Sequence, residues 1–288
     1  MESRESGERA EFLESVNLDD VVKIAVEAGR EVMKIFERDF NVEYKEDASP
    51  LTEADLHANE IICSGLKRVW PQIPILSEEN REIPYEERRE WDFFWCIDPI
   101  DGTKEFIKKS GEFTINIALV NKDTPVLGVV FAPAIGTIYY SKSGSGAWRA
   151  SVDEEWSLKE DSKKRLPLVV SDSKGAGKEG LVVVASKSHL NEETKRFINS
   201  LEEEKGSVVC ISKGSSLKLL MVAEGTADIY PRLGPTMEWD TAAADAIVRE
   251  SGKVVLNADG VADAKGLDGS RPLSYNKCDL LNPWFVVQ

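Results

Sequence analysis

The stretch Trp95-Cys96-Ile97-Asp98-Pro99-Ile100-Asp101-Gly102-Thr103 constrains this chain more than any other. An apolar run with the character of a buried strand leads directly into two carboxylates, with Pro99 and Gly102 as turn formers around them. A well-made β-turn would use the same residues. Placement adds a second reading, because two acids at the end of a buried strand repel one another unless a cation lies between them. Turn geometry can aim the Ile100 carbonyl at the same point. Oxygen-only ligation of this kind favours Mg²⁺ or Mn²⁺ over zinc.

Three further segments carry acids in suggestive places. Ile75-Leu76-Ser77-Glu78-Glu79 is again an apolar stretch ending in carboxylates, although a solvated charge run through Glu82, Glu86 and Glu87 would look the same. Thr52-Glu53-Ala54-Asp55 has the form of a capping box with Asp in place of Glu. Trp239-Asp240 precedes an alanine-rich stretch for which Asp240 would be a good N-cap.

The chain has 288 residues and a formal net charge of −15, from 36 basic and 51 acidic side chains. That balance argues against nucleic acid or anionic lipid as the partner, since both require basic surface. It also means that an anionic substrate would need locally bound cations. Cys63, Cys96, Cys210 and Cys278 form no C-x-x-C pair, so reduced thiols in a cytoplasmic protein are expected. The opening MESRESGERAEFLESVNLDD has no signal-peptide apolar core, and no run approaches a membrane span. Only His57 and His189 are present, which excludes a histidine-rich metal site. Gly175, Gly177 and Gly180 match G-x-G-x-x-G, but the following Leu181-Val-Val-Val-Ala reads as a strand where a dinucleotide site needs a helix.

Apolar periodicity predicts a helix over about Leu18 to Phe40, capped by Asp19 or Asp20, and a second over about Thr52 to Val69. Strands are expected at Trp91 to Ile97, Phe113 to Val120, Val126 to Phe131 and Thr137 to Tyr140, with a hairpin turn at Asn121 to Pro125. Residues 151–180 read as a linker or irregular crossover. From Leu181 strands and helices alternate. The expected organisation is an α+β half over 1–150, the crossover, and an α/β half over 181–288.

Taken together, Thr52-x-x-Asp55, Glu78-Glu79, Asp98-Pro-Ile-Asp-Gly-Thr103 and Trp239-Asp240 resemble, in order, the motifs of the inositol monophosphatase superfamily of lithium-sensitive, Mg²⁺-dependent phosphatases. Within it the chain most resembles the 3′(2′),5′-bisphosphate nucleotidases of the CysQ type. The segments that carry this are Lys104-Glu105-Phe-Ile107, Gly111 to Ala118, Ser186-Lys-Ser-His189, Gly214-Ser-Ser-Leu-Lys218, Tyr230 to Thr236 and Leu281-Asn-Pro.

That resemblance implies a layered αβαβα sandwich. It implies two or three Mg²⁺ ions, with Mn²⁺ as the alternative, held by Glu78, Asp98, the Ile100 carbonyl, Asp101 and Asp240. Asp55 and Thr103 would orient and deprotonate the attacking water, and Gly102 and Thr103 would receive the phosphate. His189, Ser215, Ser216, Lys218 and Arg232 match positions that receive the rest of a bisphosphate nucleotide. The implied reaction is hydrolysis of the 3′-phosphate of adenosine 3′,5′-bisphosphate (PAP) to AMP, as part of sulfur metabolism. The sulfonucleotide PAPS is a further candidate substrate, and an inositol or sugar-phosphate phosphatase is the alternative.

Overall fold

The computed structural model describes residues 2–45, 50–80, 82–168, 180–186, 191–261 and 263–288. Helix α1 (Glu2–Ser15) leads into α2 (Leu18–Phe36), whose buried stripe includes Val21, Ala25, Ala28, Val32 and Ile35 at helical spacing. Asn17 caps α2 by accepting from the Asp19 N–H at 2.9 Å. Asp19 and Asp20, expected as caps, sit in the first turn instead, where the helix dipole favours their charge. The helix stops at Phe36, short of Phe40. A short antiparallel pair, β1 (Val42–Tyr44) and β2 (Pro50–Thr52), then leads into α3 (Glu53–Val69).

The central sheet is built from β3 (Ile75–Ser77), β4 (Phe93–Asp101), β5 (Thr114–Asn121), β6 (Thr124–Ala132), β7 (Thr137–Lys142), β8 (Ala147–Val152) and β9 (Leu158–Arg165), in that spatial order. Strand β3 runs parallel to β4, and every other neighbouring pair is antiparallel. Short helices α4 (Tyr85–Arg88) and α5 (Thr103–Ile107) flank β4 in sequence. Strand β9 lies within the stretch expected to be a linker. Its sequence LKEDSKKR has no apolar alternation because it is an exposed edge strand, tied to β8 by main-chain bonds.

Both faces of the sheet are covered, which is why its central strands are apolar almost throughout. On β4, Trp95 and Ile97 join the core beneath α2 and α3, while Phe94 and Cys96 point into a second core on the opposite face. On β5, Ile115, Ile117 and Leu119 face the first core, and Ala118 and Val120 the second.

The C-terminal part supplies the remaining layers: β10 (Leu181–Ser186), α6 (Glu192–Lys205), β11 (Val208–Lys213), α7 (Leu217–Glu224), β12 (Tyr230–Arg232), α8 (Glu238–Glu250), β13 (Val255–Asn257) and β14 (Phe285–Val287). Helices α7 and α8 fill the second core, and a third core lies between these strands and α6. The result is the expected αβαβα layering. No helix among the described residues is long and apolar enough to cross a membrane.

The seating of α8 on the sheet depends on a glycine. A Cβ at Gly128 of β6 would lie 2.1 Å from the Ala243 carbonyl oxygen and 2.9 Å from the Ala246 Cβ. Glycine on the strand and alanine on the helix therefore bring α8 close to the sheet, and its first turn to the end of β4.

Candidate active site

Strand β4 ends in a bulge. Its pairing with β5 shifts between Asp98 and Asp101, which re-aims both side chains away from a regular alternation. The expected tight turn is thus a bulged continuation of the strand. Asp98 Oδ1 accepts from the Ile100 N–H at 3.0 Å. Gly102, at φ 93°, then turns the chain into α5 with a conformation that favours glycine.

Asp240 reaches the same place from α8. It is not the N-cap expected from sequence; it lies one turn in, and its Oδ2 reaches back to accept the Met237 N–H at 2.8 Å. Ligand oxygens of Asp98, Asp101 and Asp240 all lie within 4.8 Å of one another. Burial pushes the Asp98 carboxyl well above the usual carboxylate range, and the neighbouring Glu78, Asp101 and Asp240 push it the same way. Asp240 is raised by burial and then by Asp101. Acids held together against their own repulsion, with only oxygen donors, fit a hard divalent cation.

The α8 turn is fixed from behind by the C-terminal segment. Asn282 donates through Nδ2 to the Met237 carbonyl at 2.7 Å and to the Thr241 hydroxyl at 3.0 Å. Glu238, fully buried, accepts from the Asn276 N–H at 2.7 Å, the Lys277 N–H at 2.9 Å and Lys277 Nζ at 2.6 Å.

Asp55 serves two masters. Its Oδ2 accepts from the Thr52 N–H at 2.8 Å and the Thr52 hydroxyl at 2.6 Å, completing the capping box of α3. Its Oδ1 faces Thr103 Oγ1 at 3.2 Å, with the Ile100 carbonyl at 3.3 Å from the same hydroxyl. Burial pushes Asp55 up to about 6, against the hydrogen bonds from Thr52, and Glu78 and Glu79 add to the rise.

Glu78 opens the one-turn helix after β3 and lines the same cleft. Its carboxylate and that of Glu79 are bridged by Lys45 Nζ, at 2.7 and 2.8 Å. Lys45 went unnoticed in the sequence, where it is one lysine in a charged loop.

The carboxylates share one cleft with Gly102, Thr103, Lys218 and Arg232. Lys218 is buried, and burial lowers its ammonium to about 8, with the Arg232 charge acting in the same sense and Asp101 opposing. Its Nζ donates to the Ser215 carbonyl at 2.6 Å and lies 5.6 Å from the Tyr230 ring centre. Arg232 Nη2 donates to the Pro235 carbonyl at 2.8 Å, while its Nε is buried with no hydrogen-bond partner among the described residues. Lys104, Lys108 and Lys213 also line the cleft, and sequence reasoning gave none of them a role. His189 lies outside the described residues.

Ser215 and Ser216, expected to touch substrate, line the cleft and also hold Asp101. Its Oδ2 accepts from Ser215 Oγ at 2.6 Å, the Ser216 N–H at 2.7 Å and Ser216 Oγ at 2.9 Å.

The inositol monophosphatase family matches residues 16–282 of this chain. The 3′(2′),5′-bisphosphate nucleotidase CysQ of Salmonella typhimurium is 40% identical over 272 residues, spanning 94% of this chain and 98% of the relative. CysQ of Escherichia coli K12 is 38% identical over 273 residues, 94% and 98% of the two chains. The crystal structure of CysQ from Bacteroides thetaiotaomicron superposes with a TM-score of 0.79 at 42% identity, covering 94% of this chain and 96% of that one. An IMPase of Thermotoga maritima superposes at 0.68 with 25% identity, covering 94% and 91%.

Proposed function

The chain belongs to the inositol monophosphatase family, and on that premise we propose that it removes the 3′-phosphate of PAP, giving AMP and inorganic phosphate, with PAPS as a second substrate. The observation that carries this reading is one cleft lined both by the carboxylates Asp98, Asp101 and Asp240 and by the cations Lys218 and Arg232, the buried Arg232 Nε having no partner among the described residues. A bisphosphate brings a second phosphate for those cations, whereas an inositol monophosphate brings none.

Asp98, Asp101 and Asp240, with Glu78 and the Ile100 carbonyl, would hold two or three Mg²⁺ ions, or Mn²⁺ in their place. Divalent cations bound there would neutralise the phosphate and make water acidic enough to attack it. The chain's own residues then do the rest. Thr103 orients the attacking water and Asp55, its partner at 3.2 Å, takes up the proton. The new O–P bond forms as the bond from phosphorus to the ribose 3′-oxygen breaks, and that oxygen takes a proton from solvent to become the 3′-hydroxyl of AMP. Gly102 and Thr103 receive the phosphate undergoing attack, and Lys218 and Arg232, together with His189, receive the rest of the nucleotide. Four cysteines without a disulfide fit a reducing compartment, and the cytoplasm is the proposed location.

The test is phosphate release by the purified protein in Mg²⁺ from PAP, PAPS and inositol 1-phosphate. Fastest release from PAP, with AMP as the product, is expected. Faster release from inositol 1-phosphate would replace this reading with the sugar-phosphatase one.

A further inference from the structure

Ser216 is only 1% exposed, so a molecule in the cleft would meet little of it. Its hydroxyl joins three segments. It accepts from Asn116 Nδ2 on β5 at 2.9 Å, and it has Asp101 Oδ2 at 2.9 Å and the Asp240 main-chain carbonyl at 2.8 Å as acceptors. Asn116 is itself 1% exposed, and its Oδ1 accepts from the fully buried Thr114 at 2.9 Å. Thr114 Oγ1 lies 2.6 Å from Ser215 Oγ. Thr114, Asn116 and Ser216 are buried and Asp101, Ser215 and Asp240 partly so, and the array is polar and linked by hydrogen bonds, which favours a rigid unit.

A hydroxyl has one proton, so Ser216 donates to Asp101 or to the Asp240 carbonyl at any moment. The Ser216 N–H and the Ser215 hydroxyl hold the same Asp101 oxygen meanwhile. With Oδ2 held by the Ser215 hydroxyl and the Ser216 N–H, and by the Ser216 hydroxyl whenever its proton points that way, Oδ1 is the Asp101 oxygen left for a cation.

We propose that Ser216, oriented by Asn116, is a positioning residue for the metal carboxylates: it fixes the rotamer of Asp101 and locks it in register with the α8 turn that carries Asp240. This rests on the metal site proposed above. It assigns to Ser216 a role distinct from the substrate contact that its place in the sequence suggests. Groups that orient ligands from behind commonly change metal affinity when removed.

The experiment is calorimetric titration of Mg²⁺ into metal-stripped wild type, Ser216→Ala, Asn116→Ala and the double variant, without substrate. It is paired with KM for PAP at saturating Mg²⁺. Ser216→Ala should weaken Mg²⁺ binding about 10- to 100-fold and leave KM for PAP little changed. Asn116→Ala should weaken it in the same direction, and the double variant should lose less than the sum of the two, because the residues act as one unit. Should Ser216→Ala fail to fold, Asn116→Ala alone carries the test. Wild-type Mg²⁺ affinity in both single variants, or a raised KM for PAP with metal binding intact, would overturn the proposal. A wild-type protein that bound no divalent cation would instead overturn the metal site itself.

Discussion

Thr103 Oγ1 lies 3.2 Å from Asp55 Oδ1, while the other Asp55 oxygen caps helix α3 through Thr52. One carboxylate therefore ties the start of a helix to the residue that begins α5 at the end of β4. The capping role and the proposed catalytic role do not compete; the cap holds the rotamer that brings Oδ1 to Thr103.

Replacing Thr103 with Ala should lower kcat about 10²- to 10⁴-fold, the usual contribution of positioned acid–base groups, and change KM much less. A hydroxyl that orients water acts mainly in the transition state. Steady-state kinetics on PAP check this. A variant that keeps its turnover number and mainly loses KM would remove Thr103 from the chemistry.

Asp98→Asn should abolish activity without unfolding the protein. Asp98 is buried beside Glu78, Asp101 and Asp240, so neutralising it relieves repulsion in the metal-free chain. The thermal midpoint in EDTA should stay level or rise, while turnover falls about a thousandfold or more, as expected when several kcal/mol of metal stabilisation are lost. A lowered midpoint in EDTA would argue that the carboxylate holds the fold together rather than a cation.

The same raised carboxyls set a pH dependence. Asp98 and Asp240 hold protons in the folded, metal-free chain at pH values where the unfolded chain has released them. The folded state thus binds more protons, and metal-free stability falls as pH rises from about 4, the unfolded carboxylate value, through the folded pKa values. Mg²⁺ needs the deprotonated forms and so displaces those protons. The rise in thermal midpoint on adding Mg²⁺ should be larger at pH 8 than at pH 6. Equal rises at the two pH values would contradict the assignment.

Gly128→Ala should destabilise the protein by about 1–3 kcal/mol, the usual cost of forcing atoms into a packed core. The added Cβ would collide with the Ala243 carbonyl. Because α8 carries Asp240, the shift should also weaken Mg²⁺ binding. Chemical denaturation and a Mg²⁺ titration on one sample measure both. An unchanged denaturation midpoint would show that α8 is less closely seated than its contacts indicate.

Asp98 and Asp101 were legible in sequence because their chemistry is local, an apolar strand ending in two acids; Glu78, within a charge run, and Asp240, read as an N-cap, joined them only through family resemblance. Lys218 and Arg232 were legible only through family resemblance. What stayed hidden depends on contacts between distant segments. Ser215 meets Asp101 across 114 residues, and Lys45 meets Glu78 across 33. No spacing rule links such positions. Strand β9 was hidden for another reason: an exposed edge strand needs only its partner's main chain, so LKEDSKKR carries no apolar signature. The capping errors at Asp19 and Asp240 were displacements along the right turn, since several acids or amides near a helix start can each cap it.

The central claim is that Arg232 and Lys218 select a substrate by its second phosphate. It is tested most directly by kcat/KM of wild type and Arg232→Ala on PAP and inositol 1-phosphate at equal Mg²⁺. A charge-assisted contact contributes about 1.5–3 kcal/mol, so the variant should lose roughly tenfold to a hundredfold on PAP and little on inositol 1-phosphate. Equal losses on both substrates, or a wild type that prefers inositol 1-phosphate, would contradict the account.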